Sequence, residues 1–191
     1  MQLENAFEVP TPPKETLDAL LDAERVVPCM PGAQLLEQVD ERTWKAAMKV
    51  KLGPVGLDFA NDVRIVEIDE DAGIVKMAVK GRDTRGKGAA DADVVSRLVA
   101  IDGGGTRVEM STDLRLSGQA AKFGRGSIVQ DVSTQMVARF ADCLRAELSG
   151  SPEQAEAQAE AAAKPISSIR LFFSALGSRL GRLFGRSKGG S

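Results

Sequence analysis

The sequence predicts an α+β fold in which a curved antiparallel sheet surrounds one long helix. Three observations support this prediction: apolar and polar residues alternate in successive segments between residues 34 and 116, the turns between those segments are short, and apolar residues recur every four positions from Ile128 to Leu144. Alternation is typical of strands with one solvated face, whereas a period near 3.6 is typical of an amphipathic helix. Short turns join antiparallel neighbours, so we expect a meander on which the helix packs.

The segment before this meander is predicted to contain one strand and two short helices. Alternate residues are apolar over residues 1–10, and a proline cluster ends that strand. Thr11 is the predicted N-cap of the first helix, and Pro28 and Pro31 break the helical segment. The inward positions of the strand and the helices are Leu3, Phe7, Val9, Leu17, Leu20 and Leu21.

Five strands are predicted between residues 44 and 116, and alternation assigns an inward row to each of them. A helix of about twenty residues follows and is expected to pack on the sheet. The inward rows of the strands are Trp44, Ala46, Met48, Val50 and Leu52, then Leu57, Phe59, Asn61, Val63 and Ile65, then Val75, Met77 and Val79, then Ala92, Val94, Ser96 and Leu98, and finally Val108, Met110, Thr112, Leu114 and Leu116. The inward row of the helix is Ile128, Val132, Met136, Phe140 and Leu144.

A sheet that curves around one helix encloses an apolar space when the side chains facing that space are small or adaptable. The inward rows consist largely of Ala, Val, Met and Ser rather than stacked aromatic residues. Two interpretations are open, a fully packed core and a cavity large enough for a ligand, and we expect the cavity. Its predicted lining is Met48, Phe59, Val63, Met77, Val94, Leu98, Met110, Leu114, Phe123, Val132, Met136 and Phe140.

Composition excludes several classes of function. The chain has no histidine and no tyrosine, which excludes histidine-based triads and histidine-ligated metals. Cys29 and Cys143 lack metal-site spacing, so we expect buried, reduced thiols and no metal site. Six of the 25 basic residues but none of the 27 acidic ones follow residue 163, which leaves residues 1–163 with an excess of eight acidic groups. Such an acidic body without a basic, aromatic groove is not expected to bind nucleic acid.

No catalytic role is predicted. Asp62 and Asp113 fall on the outward faces of their strands, and no spacing pairs either carboxylate with a second group. The candidate acids and bases are Asn61, Asp62, Glu67 and Asp113.

One turn, GRDTRGKG at residues 81–88, is basic although the body is acidic. Its basic residues are Arg82, Arg85 and Lys87. It is either a contact for a lipid headgroup or partner enzyme, or an ordinary solvated turn, and the pattern favours the solvated turn.

The last segment, residues 165–191, has the pattern of a helix that lies in an anionic membrane surface. On a helix its apolar residues fall within an arc of about 120°, and three arginines lie on the far side. A membrane-spanning helix would place Arg170 and Arg179 in the apolar span at about 2.5 to 3.5 kcal/mol each near the centre, a cost that an interfacial helix avoids. A protein groove and the domain's own core are the alternative docking sites. The predicted membrane-binding residues are Ile166, Ile169, Arg170, Phe172, Phe173, Leu176, Arg179, Leu180, Arg182, Leu183, Phe184 and Arg186.

Three regions are therefore predicted: a domain over residues 1–148, an Ala- and Glu-rich linker over residues 149–164, and the basic tail over residues 165–191. The linker spans about 20 to 24 Å, so the domain would stay near the surface that the tail binds. The N-terminus lacks the basic start and apolar run of an export signal, so we expect a peripheral protein at the cytoplasmic face of the cell membrane.

Four segments resemble the G-subunit family of carbon-monoxide dehydrogenase. They are the first strand with its proline cluster, VVPCMPGAQL at residues 26–35, KVKLGPVGLDF at residues 49–59 and LSGQAAKFGRGSI at residues 116–128. The resemblance covers residues 1–148, and PCMPG and GQAAKFG are its more specific parts. It implies the START-like, polyketide-cyclase-like (SRPBCC) superfamily, whose helix-grip members hold lipophilic ligands. It also implies recruitment of a molybdenum- and flavin-containing carbon monoxide dehydrogenase to the membrane, and it implies no catalytic residues.

The fold and the tail together suggest a carrier. A cytoplasmic dehydrogenase must pass electrons to a respiratory chain whose mobile carrier, an isoprenoid quinone such as menaquinone or ubiquinone, is confined to lipid. We therefore expect an accessory protein that recruits the dehydrogenase complex, binds quinone in its cavity and delivers it as the electron acceptor. The alternative is a membrane anchor for the dehydrogenase with no ligand role. Neither version requires a covalently bound cofactor.

Overall fold

Seven antiparallel strands form one sheet in the computed structural model, which describes residues 1–123 and 127–150. The sheet curves around a long C-terminal helix, which confirms the predicted α+β class. The helices are α1 (Pro13–Leu21), α2 (Ala23–Val26) and α3 (Ser127–Leu148), with short 3₁₀ helices at Val27–Cys29 and Ala120–Phe123. The strands are β1 (Gln2–Val9), β2 (Ala33–Asp40), β3 (Thr43–Leu52), β4 (Val55–Asp69), β5 (Ile74–Asp83), β6 (Gly88–Ala100) and β7 (Thr106–Gly118).

The first strand, β1, forms one edge of the sheet and pairs with the last strand, β7. The strand order is β1-β7-β6-β5-β4-β3-β2, so β2 to β7 form the predicted meander and β1 adds to its far edge. The β1–β7 register runs from Gln2 opposite Asp113 to Val9 opposite Thr106. The N-terminal strand also lies beside α3. There Phe7 packs edge to face against Phe140, with their ring centroids 5.7 Å apart.

In β3 to β7, burial is confined to the faces that alternation predicts to point inward. All buried residues of β3 to β7 lie in the predicted inward rows or continue them in the same phase, for example Leu57, Phe59 and Ile65 in β4. Ion pairs occupy the opposite face, including Arg115 with Asp93 and Lys76 with Glu67. The side-chain period of two therefore assigned the faces of these strands correctly.

Strand β2 is absent from the sequence prediction. Its pairing with β3 shifts register between Leu35 and Glu37 and again between Gln38 and Asp40. Each shift leaves one residue, Leu36 or Val39, outside the ladder, and these side chains are 57% and 50% exposed. A bulge interrupts the alternation of faces, so the apolar residues of this edge strand show no period of two.

The predicted cap at Thr11 is wrong. Pro12 occupies the N-cap of α1 and makes no side-chain cap, whereas the Thr11 hydroxyl lies 2.9 Å from the Thr16 hydroxyl inside the core. The Thr106 hydroxyl donates to the Thr11 carbonyl at 2.7 Å. These hydrogen bonds connect the turn after β1 to the start of β7. Because buried hydroxyl groups need hydrogen-bond partners, the Thr11 side chain bonds within the core instead of capping α1.

The prediction that Ile128 lies on the buried face of α3 is wrong. Ile128 is 37% exposed, and its neighbour Val129 is buried instead. A row of every fourth residue rotates by about 40° per step around an α-helix, so it drifts off the buried face over a long helix. Val132, Phe140 and Leu144 are buried as predicted, and Met136 is partly buried.

The two cysteines form a disulfide, so the prediction of reduced thiols is wrong. Cys29, in the first 3₁₀ helix, bonds to Cys143 on α3 across a sequence separation of 114 residues. Their exposures are 2% and 1%, which confirms the predicted burial. Sequence spacing carries no information on this pairing, because the folding of β2 to β7 between the two cysteines brings them together.

Asp83 organises the turn between β5 and β6. One carboxylate oxygen accepts hydrogen bonds from the backbone N–H groups of Lys87 and Arg85, both at 3.0 Å. The other accepts from the Asp58 N–H at 2.9 Å, which joins the turn to β4. The Lys87 bond, with those from Asp58 and Arg85 in support, lowers the pKa of this 6% exposed carboxyl below its usual 3.8 against the opposing effect of burial.

We expect the Asp83 carboxylate to stabilise the fold at neutral pH and to lose that effect in acid. Because its folded-state pKa lies below the unfolded value of 3.8, the contribution is complete above that pH and disappears as pH falls through the folded value. Asp83→Asn should therefore lower Tm at pH 7, and the difference from the wild type should shrink below pH 3.8. Thermal scans across this range test this, with Asp18→Asn on the exposed α1 surface as the control. A difference that stays constant down to about pH 2.5 would contradict it.

Candidate functional site

The inward rows of β3, β4 and β5 share one unusual feature: they are buried at their ends but not in their middle, whereas those of β6 and β7 are buried at one end only. In β3, Trp44 and Leu52 are buried, whereas Ala46 between them is partly exposed. The same holds in β4, where Asn61 and Val63 are partly exposed between buried Phe59 and Ile65. We call these mid-strand residues the concave patch. Its members are Ala46, Asn61, Val63, Val79, Ala92, Val94, Thr112 and Leu114.

Strand register makes the concave patch continuous. Asn61 lies opposite Ala46, and Val79 lies between Val63 and Ala92. Leu114 and Thr112 continue the surface onto β7, opposite Ala92 and Val94. Directly paired side chains on one face are about 4.5 to 5.5 Å apart, so the eight residues form one surface across five strands.

Two packed clusters flank the concave patch, and none of its residues belongs to either. The larger cluster surrounds the disulfide and contains Phe7, Trp44 and Phe140. The smaller one contains Leu52, Leu57 and Val132 and lies at the β3–β4 hairpin. The interior of the domain is therefore packed at both ends and remains open to water between them.

The predicted cavity residues divide into three groups. Val63, Val94 and Leu114 belong to the concave patch itself. Four methionines, Met48, Met77, Met110 and Met136, are partly buried and pack against the edges of the two clusters, as does Phe123. The residues that lie inside the clusters are Phe59, Leu98, Val132 and Phe140.

The predicted cavity lining lacks the small residues of the concave patch. Ala46, Val79, Ala92 and Thr112 lie in the inward rows that alternation identified, so the signal was present. The predicted lining consists mainly of large side chains, whereas the open space lies where the inward side chains are small. The size of inward residues along each strand would have located it.

Asn61 is the most polar group of the patch, and its orientation is defined. Its Nδ2 donates to the Ala46 carbonyl at 3.1 Å and to the Phe59 carbonyl at 3.3 Å. Its Oδ1 lies over Gly81, where an added Cβ would be only 2.5 Å from that oxygen. Gly81 therefore provides the space that the carboxamide occupies, since any larger residue would collide with it.

The other candidate acids and bases lie away from the patch. Asp62 is exposed on the outward face of β4. Glu67 pairs with Lys76 at 2.7 Å and Asp113 with Arg115 at 3.0 Å, both on the outer surface. Within residues 1–123 and 127–150, no group of three His, Cys, Asp or Glu side chains could hold a metal ion.

Two of the three basic side chains in the turn at residues 81–88 form ion pairs with carboxylates of the neighbouring strands. Arg82 pairs with Asp91, and Arg85 pairs with Asp58. The Lys87 ammonium donates to the Gly56 carbonyl at 3.3 Å. This arrangement supports the interpretation as an ordinary solvated turn, because a docking site for an anionic surface needs unpaired charge.

Two surface concavities lie away from the predicted cavity. One, of about 390 Å³, lies between β1 and α3 and is lined by Glu4, Asp142 and Arg145 among others. The other, of about 370 Å³, lies at the β2–β3 turn. No predicted cavity residue lines either of them, and both are bordered by charged side chains.

The predicted membrane-binding tail and most of the predicted linker lie outside the described residues. Within the part of the chain that the structure describes, no helix combines the length and the apolarity needed to cross a bilayer.

Comparison with known proteins agrees with the observed fold. A family profile described as the G subunit of carbon monoxide dehydrogenase (CoxG) matches residues 6–149, which is most of the chain. The chain belongs to the CoxG family. The resemblance inferred from its sequence segments is thereby confirmed. No curated protein matches the sequence.

Solved structures show the same architecture for this CoxG-family chain. A conserved protein from Geobacillus kaustophilus superimposes with a TM-score of 0.70 at 20% identity, over 79% of this chain and 97% of that one. A START superfamily protein from Mycobacterium smegmatis superimposes with a TM-score of 0.50 at 12% identity, over 78% of this chain and 97% of that one. At these identities the comparisons establish a START-like fold alone.

Proposed function

We propose that this protein is a membrane-anchored accessory factor that binds a lipophilic quinone on its concave patch. It recruits carbon monoxide dehydrogenase to the cytoplasmic face of the membrane and delivers the quinone as electron acceptor, without catalysing a reaction itself. The observation that carries the proposal is the partly exposed apolar patch between two packed clusters. Membership of the CoxG family supports the choice of partner enzyme.

An apolar surface in the middle of a domain favours a lipophilic ligand. Burial of apolar surface contributes about 25 cal/mol per Å², so leaving this patch in contact with water forgoes stability that a ligand restores. Four methionines border the patch, and their flexible thioethers adapt to ligands of irregular shape. The flat ring and branched isoprenoid chain of a quinone suit such a surface.

The tail supports the membrane part of the proposal through its sequence. Each Lys or Arg near an anionic leaflet contributes about 1 kcal/mol, and the aromatic face adds apolar burial. The body carries the excess of acidic groups, so it is repelled by the same leaflet. The tail is therefore the part of the chain suited to hold the domain at the surface where quinone resides.

A cytoplasmic position has to accommodate the Cys29–Cys143 bond, since cytosolic thiols are generally kept reduced. Both cysteines are at most 2% exposed and lie within the larger cluster. A reductant reaches such a bond only when the structure opens locally, so the disulfide is protected by the same packing that it stabilises.

Native mass spectrometry tests ligand carriage. The full chain, and a second form that ends at Gly150, are produced in cells that contain quinone and are purified without detergent. A bound isoprenoid quinone on both forms supports the carrier. A ligand-free mass for both forms after incubation with membrane lipids and quinones favours the alternative, a membrane anchor for the dehydrogenase with no ligand role.

Vesicle flotation tests the tail. We expect the triple substitution Phe172→Ser, Phe173→Ser and Phe184→Ser to reduce binding to vesicles containing anionic phosphatidylglycerol by at least about a hundredfold, because each buried Phe contributes about 1.5 to 3 kcal/mol. Binding of the wild type should also weaken with added salt. The control replaces three serines of the same segment, Ser167, Ser174 and Ser178, with alanine and should float like the wild type. Equal flotation of both triple variants would contradict an apolar membrane contact.

A further inference from the structure

We propose that Asn61 makes the concave patch selective for a ligand that donates a hydrogen bond, and thus for the reduced, quinol form of the carrier over the quinone. This inference rests on the proposed function and extends it, because it names the redox form that the site binds more tightly.

The donor capacity of Asn61 is already used. A carboxamide has two N–H groups, and the Nδ2 of Asn61 directs them to the carbonyls of Ala46 and Phe59, at 3.1 and 3.3 Å. Because both of these neighbours are acceptors, a flipped amide would set oxygen against oxygen. The orientation is therefore determined by the backbone of β3 and β4 rather than by the ligand.

The acceptor capacity of Asn61 remains available. Within the described residues, no donor bonds to Oδ1, which lies over the Cα of Gly81. No buried side-chain oxygen or nitrogen in that part of the chain lacks a partner, so this oxygen is in contact with solvent rather than enclosed. Its nearest neighbours in register, Ala46 and Gly81, offer no polar side chain. A ligand that covers the patch must therefore either donate to this oxygen or leave it unpaired.

The two hydroxyl-bearing residues of the predicted inward rows do not discriminate in this way. Ser96 and Thr112 carry hydroxyl groups, which both donate and accept. Thr112 lies on β7, three strands away from Asn61 on β4. The Oδ1 of Asn61 is thus the one side-chain oxygen among the eight residues of the concave patch that can only accept.

A quinone and a quinol differ in whether their ring oxygens can donate a hydrogen bond to Asn61. The two ring oxygens of a quinone are carbonyls, which only accept hydrogen bonds. Uptake of two electrons and two protons converts both into hydroxyls, which donate. A quinone ring over Asn61 leaves Oδ1 desolvated, whereas a quinol satisfies it, and one such bond changes affinity by about five- to tenfold. A tenfold preference for the quinol raises the midpoint potential of the bound two-electron couple by about 30 mV and makes the bound quinone the stronger oxidant.

Equilibrium dialysis under anaerobic conditions tests the proposal. The full chain is dialysed against decylubiquinone and, separately, against decylubiquinol. The wild type should bind the quinol about five to ten times more tightly. Asn61→Leu, which removes the acceptor at similar volume, should bind both forms equally and the quinone at least as tightly as the wild type. Asp62→Asn, the neighbouring residue on the outward face of the same strand, is the matched control and should keep the quinol preference.

A second ligand keeps the test independent of the folding of any variant. The dimethyl ether of decylubiquinol has the reduced ring but no hydroxyl hydrogen, so the wild type should bind it no better than the quinone. Equal affinity for quinone and quinol, or a quinol preference that persists in Asn61→Leu, overturns the role of Asn61 and leaves the carrier proposal intact. Failure of the wild type to bind any of the three ligands overturns both.

Discussion

Replacement of Ala92 with tryptophan is expected to abolish ligand binding at the concave patch and to leave the domain folded. Ala92 lies in the middle of β6, between Val79 and Leu114, and belongs to neither packed cluster. An indole at this position fills open space without displacing packed side chains, so we expect quinone affinity to fall by about a hundredfold or more, or about 2.7 kcal/mol of binding free energy. Equilibrium dialysis with decylubiquinone measures the loss, and near-ultraviolet circular dichroism verifies the fold.

The outward face of the sheet offers a matched control for this substitution. Ala60 lies on β4 and is exposed, so Ala60→Trp adds the same side chain without entering the patch. It should bind quinone like the wild type. Normal binding by Ala92→Trp would contradict the location of the site. If Ala92→Trp loses the ligand but still couples carbon monoxide oxidation to respiration in cells, the protein is an anchor rather than a carrier.

Removal of the Cys29–Cys143 bond is expected to lower the free energy of unfolding by about 2 to 4 kcal/mol. The bond joins cysteines 114 residues apart and closes a loop that contains all the strands from β2 to β7, so it restricts the unfolded chain strongly. It also holds the C-terminal half of α3 against the segment that leads into β2, where α3 has few other contacts with the sheet outside β1. Guanidinium denaturation of the wild type and of Cys29→Ala/Cys143→Ala measures the difference.

Long incubation with dithiothreitol provides an independent measurement of the same effect. The reductant should destabilise the wild type and leave the double alanine variant unchanged, since that variant has no bond to lose. Equal unfolding midpoints for reduced and oxidised wild type would show that the cysteines contribute only as packed, apolar side chains.

Local periodicity in the sequence was sufficient to predict most of the strands and the long helix of this protein. The period of two identified five of the seven strands with their inward faces, alternate apolar residues identified β1, and a period near 3.6 identified α3. These features could be predicted because each depends on residues within one element. The same argument placed Asn61 on the inner face and Asp62 on the outer one, and the structure agrees.

The elements that sequence reasoning missed depend on contacts between distant parts of the chain. Bulges set by pairing with β3 hide the period of β2, and burial of hydroxyls against β7 overrides the expected cap at Thr11. Drift of a four-residue row around the helix exposes Ile128. Pairing of Cys29 with Cys143 requires the six strands from β2 to β7 to fold between them.

The candidate site divides in the same way. Its apolar chemistry and its position on the inner face followed from the sequence, because alternation assigns each side chain to a face. Whether that inner face is packed or open was decided only by the tertiary structure, since exposure at Val63 or Ala92 depends on how far α3 lies from each strand. The orientation of the Asn61 carboxamide was likewise decided there, because its two acceptors belong to neighbouring strands and the space for its oxygen comes from Gly81 on a third.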